Sequence, residues 1–360
     1  MDGPRVIVQP GTGYDLLLSC CLVATKSGQR IEAGKVWLQR AEAAGVPDLI
    51  RSIERIGREP FLNLLGFVHA RTDEPSATNA VTALAAADPR DVVLAAVGSQ
   101  RRAFRLVTAP AVMRAAVDGD RDAIAEFRRS SYPDLRHWQS SLRELLGDPA
   151  GNVGTWIAET IAAWHARVFS ATEPAIATAQ AADAAIVREL VATMELDAVL
   201  ERIAPGLTFT REIGQEAVVL APSTILPGST ALADYGPVMV IVYPAGGATE
   251  LGDDPPDRLV RIATALADPL RLRALRELRD GPMTATELAR RLGVPRTSLH
   301  HHVRVLLAAG VARLSVDDAR WGNLELHPEA FAEVGRLAER WVLGREGIAP
   351  PSGGARTPHP

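Results

Sequence analysis

Cysteines and long apolar runs are scarce in this chain of 360 residues. The two cysteines, Cys20 and Cys21, are adjacent, and adjacent residues on a helix point about 100° apart, which is poor geometry for a disulfide or a shared metal. They are interpreted as small buried hydrophobic residues. The apolar run at residues 16–24 is about half the ~20 residues that a membrane span needs. No signal-peptide pattern surrounds it, so we expect a cytoplasmic protein.

The short motifs that identify common enzymes are also missing. We find no nucleophile elbow, phosphate loop, zinc-binding helix or dinucleotide fingerprint. The Gly11-Thr12-Gly13 segment lacks a full preceding strand, so it is interpreted as a turn before the first helix. We therefore predict that the protein is not an enzyme and needs no cofactor. An enzymatic or protein-docking domain fused to a second module is the alternative.

Charge is distributed unevenly along the chain. Hydrophobic residues make up 47% and charged residues 23%, which is typical of globular proteins, and the length indicates two or three domains. Up to Pro256 the chain carries 23 basic and 31 acidic residues, whereas from Asp257 onward it carries 16 basic and 12 acidic residues. This asymmetry is typical of a polyanion-binding module joined to an acidic domain.

The pattern of apolar residues predicts a mainly α protein with a small β segment. A multi-helix domain is predicted over residues 1–204, because amphipathic segments alternate with Gly and Pro breaks. Runs of β-branched residues predict a small β segment over residues 205–245, packed on the helices. A Gly-, Pro- and acid-rich linker follows at 246–256, then a second folded domain at 257–341 and a disordered tail at 348–360.

Helix start and stop signals are clearest in the last quarter of the chain. Asp268, followed by a proline, predicts an N-cap and a first helical residue. Thr284 and Glu287 predict a capping box, in which the threonine hydroxyl accepts from the Glu287 N–H and the glutamate reaches back to the cap. Gly293 permits a tight turn between two helices. This spacing predicts a helix-turn-helix.

The helix predicted at about 295–309 has an apolar and a polar face. Its apolar stripe consists of Leu299, Val303, Leu306 and Leu307. The small Ala289 on the preceding helix allows the two helices to approach closely. No acidic residue occurs between Glu287 and Asp317. The polar face consists of Arg296, Thr297, Ser298, His300, His301 and Arg304.

Two short strands and a closing helix follow. The runs at 311–316 and 321–326 predict a hairpin, which would form a wing at 311–327. Apolar residues at helical spacing predict the closing helix over residues 328–341. Two helices, a helix-turn-helix, a wing and a last helix form a specific order of elements.

Residues 257–341 resemble the winged helix-turn-helix regulators of the ArsR family. The resemblance rests on ALADPLRLRALREL at 265–278, on TATELARRLGVPRTSLHHHVRVLLAAGV at 284–311, and on the wing with its closing helix. Residues 204–245 are similar to a segment of larger actinobacterial members that have a long N-terminal domain. The resemblance implies a dimeric transcriptional regulator that binds operator DNA.

Three consecutive histidines, at 300–302, raise the question of a metal site. On a helix they spread over about 200°, so they cannot bind one metal together. His302 lies nearest the apolar stripe and is interpreted as packed or hydrogen-bonded, whereas the other two face outward, toward DNA or solvent. Metal-sensing ArsR proteins use Cys-x-Cys, or His and acidic groups on the last helix. This module has no cysteine, and His327 stands alone beside Glu329, so no metal is expected.

The resemblance implies which residues contact double-stranded operator DNA. The predicted recognition helix would enter the major groove with its positive N-terminal end, and the wing would contact the adjacent backbone or minor groove. Asp317 and Asp318 at the wing tip differ from the basic wing usual in the family, which argues against strong contact there. The predicted DNA-binding residues are Arg296, Thr297, Ser298, His300, His301, Arg304, Arg313 and Arg320.

A homodimer is predicted from the first and last helices of the module. Together they carry more apolar surface than so small a module is expected to bury internally. The predicted dimerisation residues are Leu259, Ile262, Leu266, Phe331, Val334, Leu337 and Trp341.

The large acidic N-terminal domain has two interpretations. Its aromatic side chains enclose a small organic effector, whose binding changes the spacing of the two recognition helices through the linker. Alternatively, the aromatic side chains form an ordinary core, and the domain only strengthens dimerisation. These residues are Trp37, Phe61, Phe67, Trp138, Trp156 and Trp164.

Overall fold

The computed structural model describes the two predicted parts of the chain and confirms a mainly α fold with a small amount of β structure. Contacts divide the chain into two compact units, one mostly of residues up to 248 and the other mostly of residues from 249 onward. The predicted tail and all but the first residue of the predicted linker lie outside the described residues. The described residues are 4–30, 32–100, 108–131, 136–204, 207–209, 215–226, 230–246, 257–316 and 321–343.

Helices make up most of the first unit, and local capping chemistry starts several of them. Ser76, Asp88 and Asp120 each accept a hydrogen bond from a backbone N–H of the first turn, which satisfies a donor that has no partner inside the helix. A π-helical turn at His165–Phe169 follows α11. The helices are α1 (Thr12–Val23), α2 (Lys26–Arg30), α3 (Glu32–Ala43), α4 (Pro47–Ile56), α5 (Arg58–Arg71), α6 (Ala77–Ala86), α7 (Pro89–Ala96), α8 (Pro110–Val117), α9 (Arg121–Ser130), α10 (Arg136–Leu145), α11 (Ala150–Trp164), α12 (Glu173–Thr193) and α13 (Leu196–Ile203).

Helix α1 lies at the centre of this unit. All of its residues are buried, and α3, α5 and α6 pack against it, as expected for a helix that is apolar on every side. Cys20 and Cys21 are both free and buried here, and burial raises the pKa of both thiols. This confirms their interpretation as small hydrophobic residues. Among the described helices, none is long and apolar enough to cross a membrane.

A four-stranded sheet completes the first unit, in the order β1-β3-β5-β4. Strands β1, β3 and β5 are parallel, with Val6 opposite Val218 and Val218 opposite Met239, whereas β4 runs antiparallel to β5. The sheet therefore includes an N-terminal strand that the sequence analysis did not predict. The strands are β1 (Arg5–Val8), β3 (Ala217–Ser223), β4 (Ala231–Tyr235) and β5 (Val238–Pro244).

The glycines at the start of α1 serve close packing. Only the four-residue strand β1 precedes this segment, and α1 begins at Thr12 with Gly11 as its N-cap, so Gly11 lies in the turn before the first helix, as expected. A Cβ on Gly11 would lie 2.5 Å from Pro75 Cγ, and one on Gly13 would lie 2.8 Å from the Pro75 carbonyl oxygen. The Gly13 N–H already donates to that oxygen at 2.8 Å. The close approach of residue 75 therefore requires glycine at both positions.

One carboxylate joins the starts of three helices. Glu173, the first residue of α12, accepts from the Thr12 hydroxyl at 2.6 Å, from the Ala77 N–H at 3.2 Å and from His165 Nε2 at 2.9 Å. Burial opposes its ionisation, but the bonds from Thr12 and His165 outweigh this effect and lower the pKa of Glu173. A negative charge at helix N-termini is also favoured by their dipoles.

The second unit has the predicted order of helices and strands. In its sheet, β8 lies between β7 and β6. Strand β2 (Leu207–Phe209) does not join the other strands of the predicted 205–245 β segment, which pair only with one another and with β1. Strand β6 is antiparallel to β8, with Met283 opposite Leu324. The elements are α14 (Asp257–Leu266), α15 (Pro269–Leu278), β6 (Met283–Thr284), α16 (Ala285–Leu292), α17 (Arg296–Ala308), β7 (Ala312–Val316), β8 (Trp321–Leu326) and α18 (Glu329–Leu343).

A buried arginine fastens the end of α14 to α15. Arg271 Nε donates to the Ala265 carbonyl oxygen and its Nη2 donates to the Thr264 carbonyl oxygen, both at 2.7 Å. The last carbonyls of α14 have no partner inside the helix, so the guanidinium satisfies them and also favours the negative end of the helix dipole. Arg271 thereby sets the angle at which the two helices meet.

The first testable prediction concerns Asp15, which is completely buried in α1. Burial raises its pKa to about 6, although hydrogen bonds from Ser223 and Thr224 oppose the change. The pKa of this carboxyl is therefore higher in the folded protein than in the unfolded chain. As pH rises through this range, ionisation of the buried carboxyl costs more than ionisation in the unfolded chain, so the folded protein loses stability. The Asp15→Asn variant lacks this penalty. Its stability relative to the natural protein should rise by about 3 kcal/mol between pH 4 and pH 8.

Hydrogen exchange of the α1 amides at several pH values measures this difference for the first unit alone. Asp122→Asn, which changes an exposed carboxylate in α9, is the control and should show no comparable trend. A stability difference between Asp15→Asn and the natural protein that stays constant from pH 4 to pH 8 would contradict the prediction.

Candidate nucleic-acid interface

A glycine in the left-handed backbone conformation forms the turn between α16 and α17. Gly293 has φ +66°, a conformation that costs glycine little. The N–H of Val294 donates back to the Ala289 carbonyl oxygen at 3.1 Å, which closes the end of α16. Pro295 is the N-cap of α17, so the recognition helix begins at Arg296, one residue later than predicted.

The predicted apolar stripe anchors α17 in the core of the second unit. Leu299, Val303 and Leu306 are buried, and Leu307 is partly buried. Ala289 on α16 belongs to the same core. Burial of this stripe leaves the opposite face of α17 toward solvent.

Six of the predicted DNA-binding residues lie on α17 and are exposed. Thr297, His301 and Arg304 lie at i, i+4 and i+7 and therefore form the centre of the face opposite the stripe. Arg296 and His300, four residues apart, lie at its edge on the side of Leu307. The six exposed residues are Arg296, Thr297, Ser298, His300, His301 and Arg304.

The three histidines have different environments. His300 and His301 are exposed, whereas His302 is half-buried with Nδ1 3.5 Å from Asp268 Oδ1. Asp268 also caps α15, accepting from the Leu270 and Arg271 N–H groups; the Arg271 bond is the largest cause that holds the pKa of Asp268 below its usual value. In the part of the chain that the structure describes, no three His, Cys, Asp or Glu side chains meet to hold a metal.

Only half of the predicted capping box forms at α16. The Thr284 hydroxyl accepts from the Glu287 N–H at 3.2 Å, as predicted. The Glu287 carboxylate accepts from Arg290 at 2.6 Å and from Arg291 at 3.0 Å and does not reach back to the cap. The bond from Arg290 is the largest cause that lowers the pKa of Glu287. The two arginines of the first helix of the motif therefore share one carboxylate within that helix, whereas α17 contains no acidic residue.

At the wing, one predicted residue is half-buried and one lies outside the described residues. Arg313 on β7 is partly buried and donates from Nη2 to His327 Nε2 at 2.5 Å. Arg320 belongs to residues 317–320, which lie outside the described residues. The sequence analysis considered His327 only as a metal ligand, yet the residue is 3% exposed and contacts two elements. A lone histidine before a proline carries no periodic signal that would have indicated this.

Two predicted dimerisation residues are part of the core of the monomer. Ile262 is 0% exposed and Leu337 is 7% exposed, because α14 and α18 pack against each other within one chain. These two side chains therefore contribute to the core of the second unit, and their role in dimerisation stays a prediction. Leu259, Leu266 and Val334 are partly buried, and Phe331 and Trp341 are exposed. On α14 and α18, the exposed apolar side chains that were not predicted are Val260 and Val342.

The aromatic residues of the first unit pack in its core. Trp37, Phe61, Phe67, Trp138 and Trp164 are buried, and Trp156 is partly buried. Trp37 stacks on Phe169 with ring centroids 5.4 Å apart. This packing favours the core interpretation over an aromatic enclosure for an effector.

Comparison with known proteins supports the class of domain that the geometry defines. Residues 266–314 match the model of a helix-turn-helix domain, in a family that includes ArsR-like regulators. The match spans α15, α16, the turn at Gly293 and the whole of α17. No curated protein and no solved structure matches the chain. The chain therefore contains a helix-turn-helix domain, a class that indicates DNA-binding regulation.

The second testable prediction is that the turn needs the left-handed conformation at Gly293. No atom lies within 4 Å of a Cβ added there, so Gly293→Ala suffers backbone strain without a steric clash. We expect Gly293→Ala to destabilise the second unit by about 1 kcal/mol. Gly293→Asn should cost less, because asparagine tolerates this region better. Hydrogen exchange of the α16 and α17 amides measures both; equal stability of all three proteins would exclude a left-handed turn.

Proposed function

We propose that this protein is an ArsR-like transcriptional regulator that binds double-stranded operator DNA as a homodimer. The observation that carries the proposal is the exposed face of α17, which combines two arginines, two histidines and two hydroxyl side chains without an acidic residue. The helix-turn-helix presents this face outward, as a recognition helix requires. Because its partner is operator DNA, we expect the protein to act in the cytoplasm.

Different residues of the recognition helix would contact phosphates and bases. The N-terminal end of α17 carries the positive end of the helix dipole, so Arg296, Thr297 and Ser298 are suited to phosphates or nearby base edges. Further along the face, His301 and Arg304 are suited to base edges in the major groove, where arginine pairs with guanine O6 and N7. His300 lies beside them and would contact the same groove. Arg313 would contact the DNA backbone next to this site.

The proposed dimer uses the apolar side chains that α14 and α18 leave exposed. Phe331 and Trp341 are 38% and 39% exposed, and Val342 is 72% exposed. Large apolar side chains so exposed on a small module favour association. A twofold dimer would bind a palindromic operator with half-site centres roughly 34 Å apart.

We propose a structural, dimer-strengthening role for the first unit, with no catalytic activity. Its aromatic side chains pack in the core, so they do not support the alternative of an organic effector between them. Asp15 is its one described carboxyl with a strongly raised pKa, but that carboxyl is completely buried and accepts hydrogen bonds from Ser223 and Thr224. An enzyme would instead present such a group in a cleft. Metabolite-dependent operator binding by the full-length protein would favour the effector alternative.

The third testable prediction addresses the recognition helix. Operator DNA is first selected from a random duplex pool with the full-length protein. On that DNA, Arg304→Ala and His301→Ala should each weaken binding by roughly 1 to 3 kcal/mol and relax the base preference at one position. Arg279→Ala, which removes an exposed arginine paired with Asp280 outside this face, is the matched control. Unchanged affinity and specificity in both test variants would remove the assignment.

The fourth testable prediction addresses the dimer. Sedimentation should show a dimer at micromolar concentration, and Trp341→Glu should shift it toward monomer because a charge would enter an apolar interface. Leu272→Glu, at a similarly exposed apolar position in α15, should leave the dimer intact. A natural protein that sediments as a monomer and still binds a single half-site would contradict the proposal.

A further inference from the structure

A buried histidine connects the end of the recognition helix to the wing. His327 directly follows β8, and its side chain is 3% exposed. Its Nδ1 lies 2.6 Å from the Gly310 carbonyl oxygen, and its Nε2 lies 2.5 Å from Arg313 Nη2. Its backbone N–H donates to the Val311 carbonyl oxygen at 3.1 Å. One residue thus contacts three positions of the segment that leads from α17 into β7.

The partners of the imidazole determine where its proton is. A guanidinium has only donors, so His327 Nε2 must accept from Arg313. A carbonyl oxygen has only acceptors, so Nδ1 must carry the hydrogen and donate to Gly310. The contacts therefore require a neutral imidazole in a single tautomer.

The short segment between α17 and β7 is held by these contacts. Helix α17 ends at Ala308, Gly310 follows with φ +63°, and β7 begins at Ala312. His327 thus contacts the connection at Gly310 and the second residue of the strand, Arg313. Both bonds come from one side chain with only two rotatable torsions, so they constrain the two elements relative to each other.

We infer that His327 is a positioning residue for DNA binding, which holds Arg313 and the wing strand in register with the recognition helix. The inference rests on the proposed function and adds one residue that supports DNA binding without contacting DNA. His327 does not touch DNA; it acts through Gly310 and Arg313. In the proposed complex, Arg313 contacts the DNA backbone beside the major groove. Its charge-assisted bond to the imidazole keeps its guanidinium in one orientation.

Two variants separate the two bonds of the imidazole. In His327→Asn, the side-chain amide can still donate to the Gly310 carbonyl, but no atom reaches the position of Nε2. In His327→Gln, the longer side chain brings an amide oxygen near that position, where it can accept from Arg313. Positioning of Arg313 should therefore be lost in His327→Asn and largely kept in His327→Gln.

The experiment measures affinity and hydroxyl-radical footprints of the full-length protein on the duplex that it selects from a random pool. His327→Asn should lose about tenfold in affinity, the order expected for a charge-assisted contact, together with the protection that flanks the major-groove site. Arg313→Gln should show the same loss. The double variant should bind no worse than either single variant, because the two substitutions remove the same contact. His327→Gln should retain the flanking protection.

The outcomes distinguish the inference from its alternatives. A His327→Asn footprint identical to that of the natural protein, or losses that simply add in the double variant, would overturn it. Equal losses in His327→Asn and His327→Gln, with equally lowered melting temperatures, would show a purely structural role and also overturn it. If the natural protein selects no DNA, the proposed function falls, and the inference falls with it.

Discussion

Burial of the apolar stripe of α17 is the constraint on which the DNA-binding unit depends. Leu299, Val303 and Leu306 turn one side of the helix into the core, and this alone decides which side chains face outward. The turn at Gly293 and the small Ala289 make that burial possible, since they let α16 lie close to α17. The polar face therefore points away from the core because the apolar face of the same helix must be buried.

Features that depend on neighbours in the chain could be predicted from the sequence. The cap at Asp268, the half of the capping box at Thr284 and the turn at Gly293 each involve groups within four residues of one another. The periodic stripe of α17 is equally local, so its exposed face followed directly. The order of elements in the second unit was therefore predictable with helix ends accurate to about a turn.

Features that depend on distant partners could not be predicted. The Glu287 carboxylate could accept either from the N-cap N–H or from two arginines, and the sequence alone does not show which of these hydrogen bonds forms. The burial of Ile262 in the core of the second unit could not be predicted because its partners on α18 are remote in the chain, and the contacts of His327 need β7 and the end of α17 to be in place. The short β1 strand has too few residues for a periodic signal, and only its pairing with β3 makes it a strand.

The pairing of β1 with β3 also constrains how the protein is made. Arg5 lies opposite Ala217, so the first strand leaves the ribosome roughly 200 residues before its partner, a delay of about 10 to 40 s at ordinary synthesis rates. Helix α1, which follows at once, is apolar on all sides and cannot be covered fully until later helices and β3 arrive. Closing so long a loop is also slow, because its entropy must be lost before the pairing forms. Until β3 has been synthesised, α1 therefore keeps apolar surface exposed, which favours aggregation of the partly made chain.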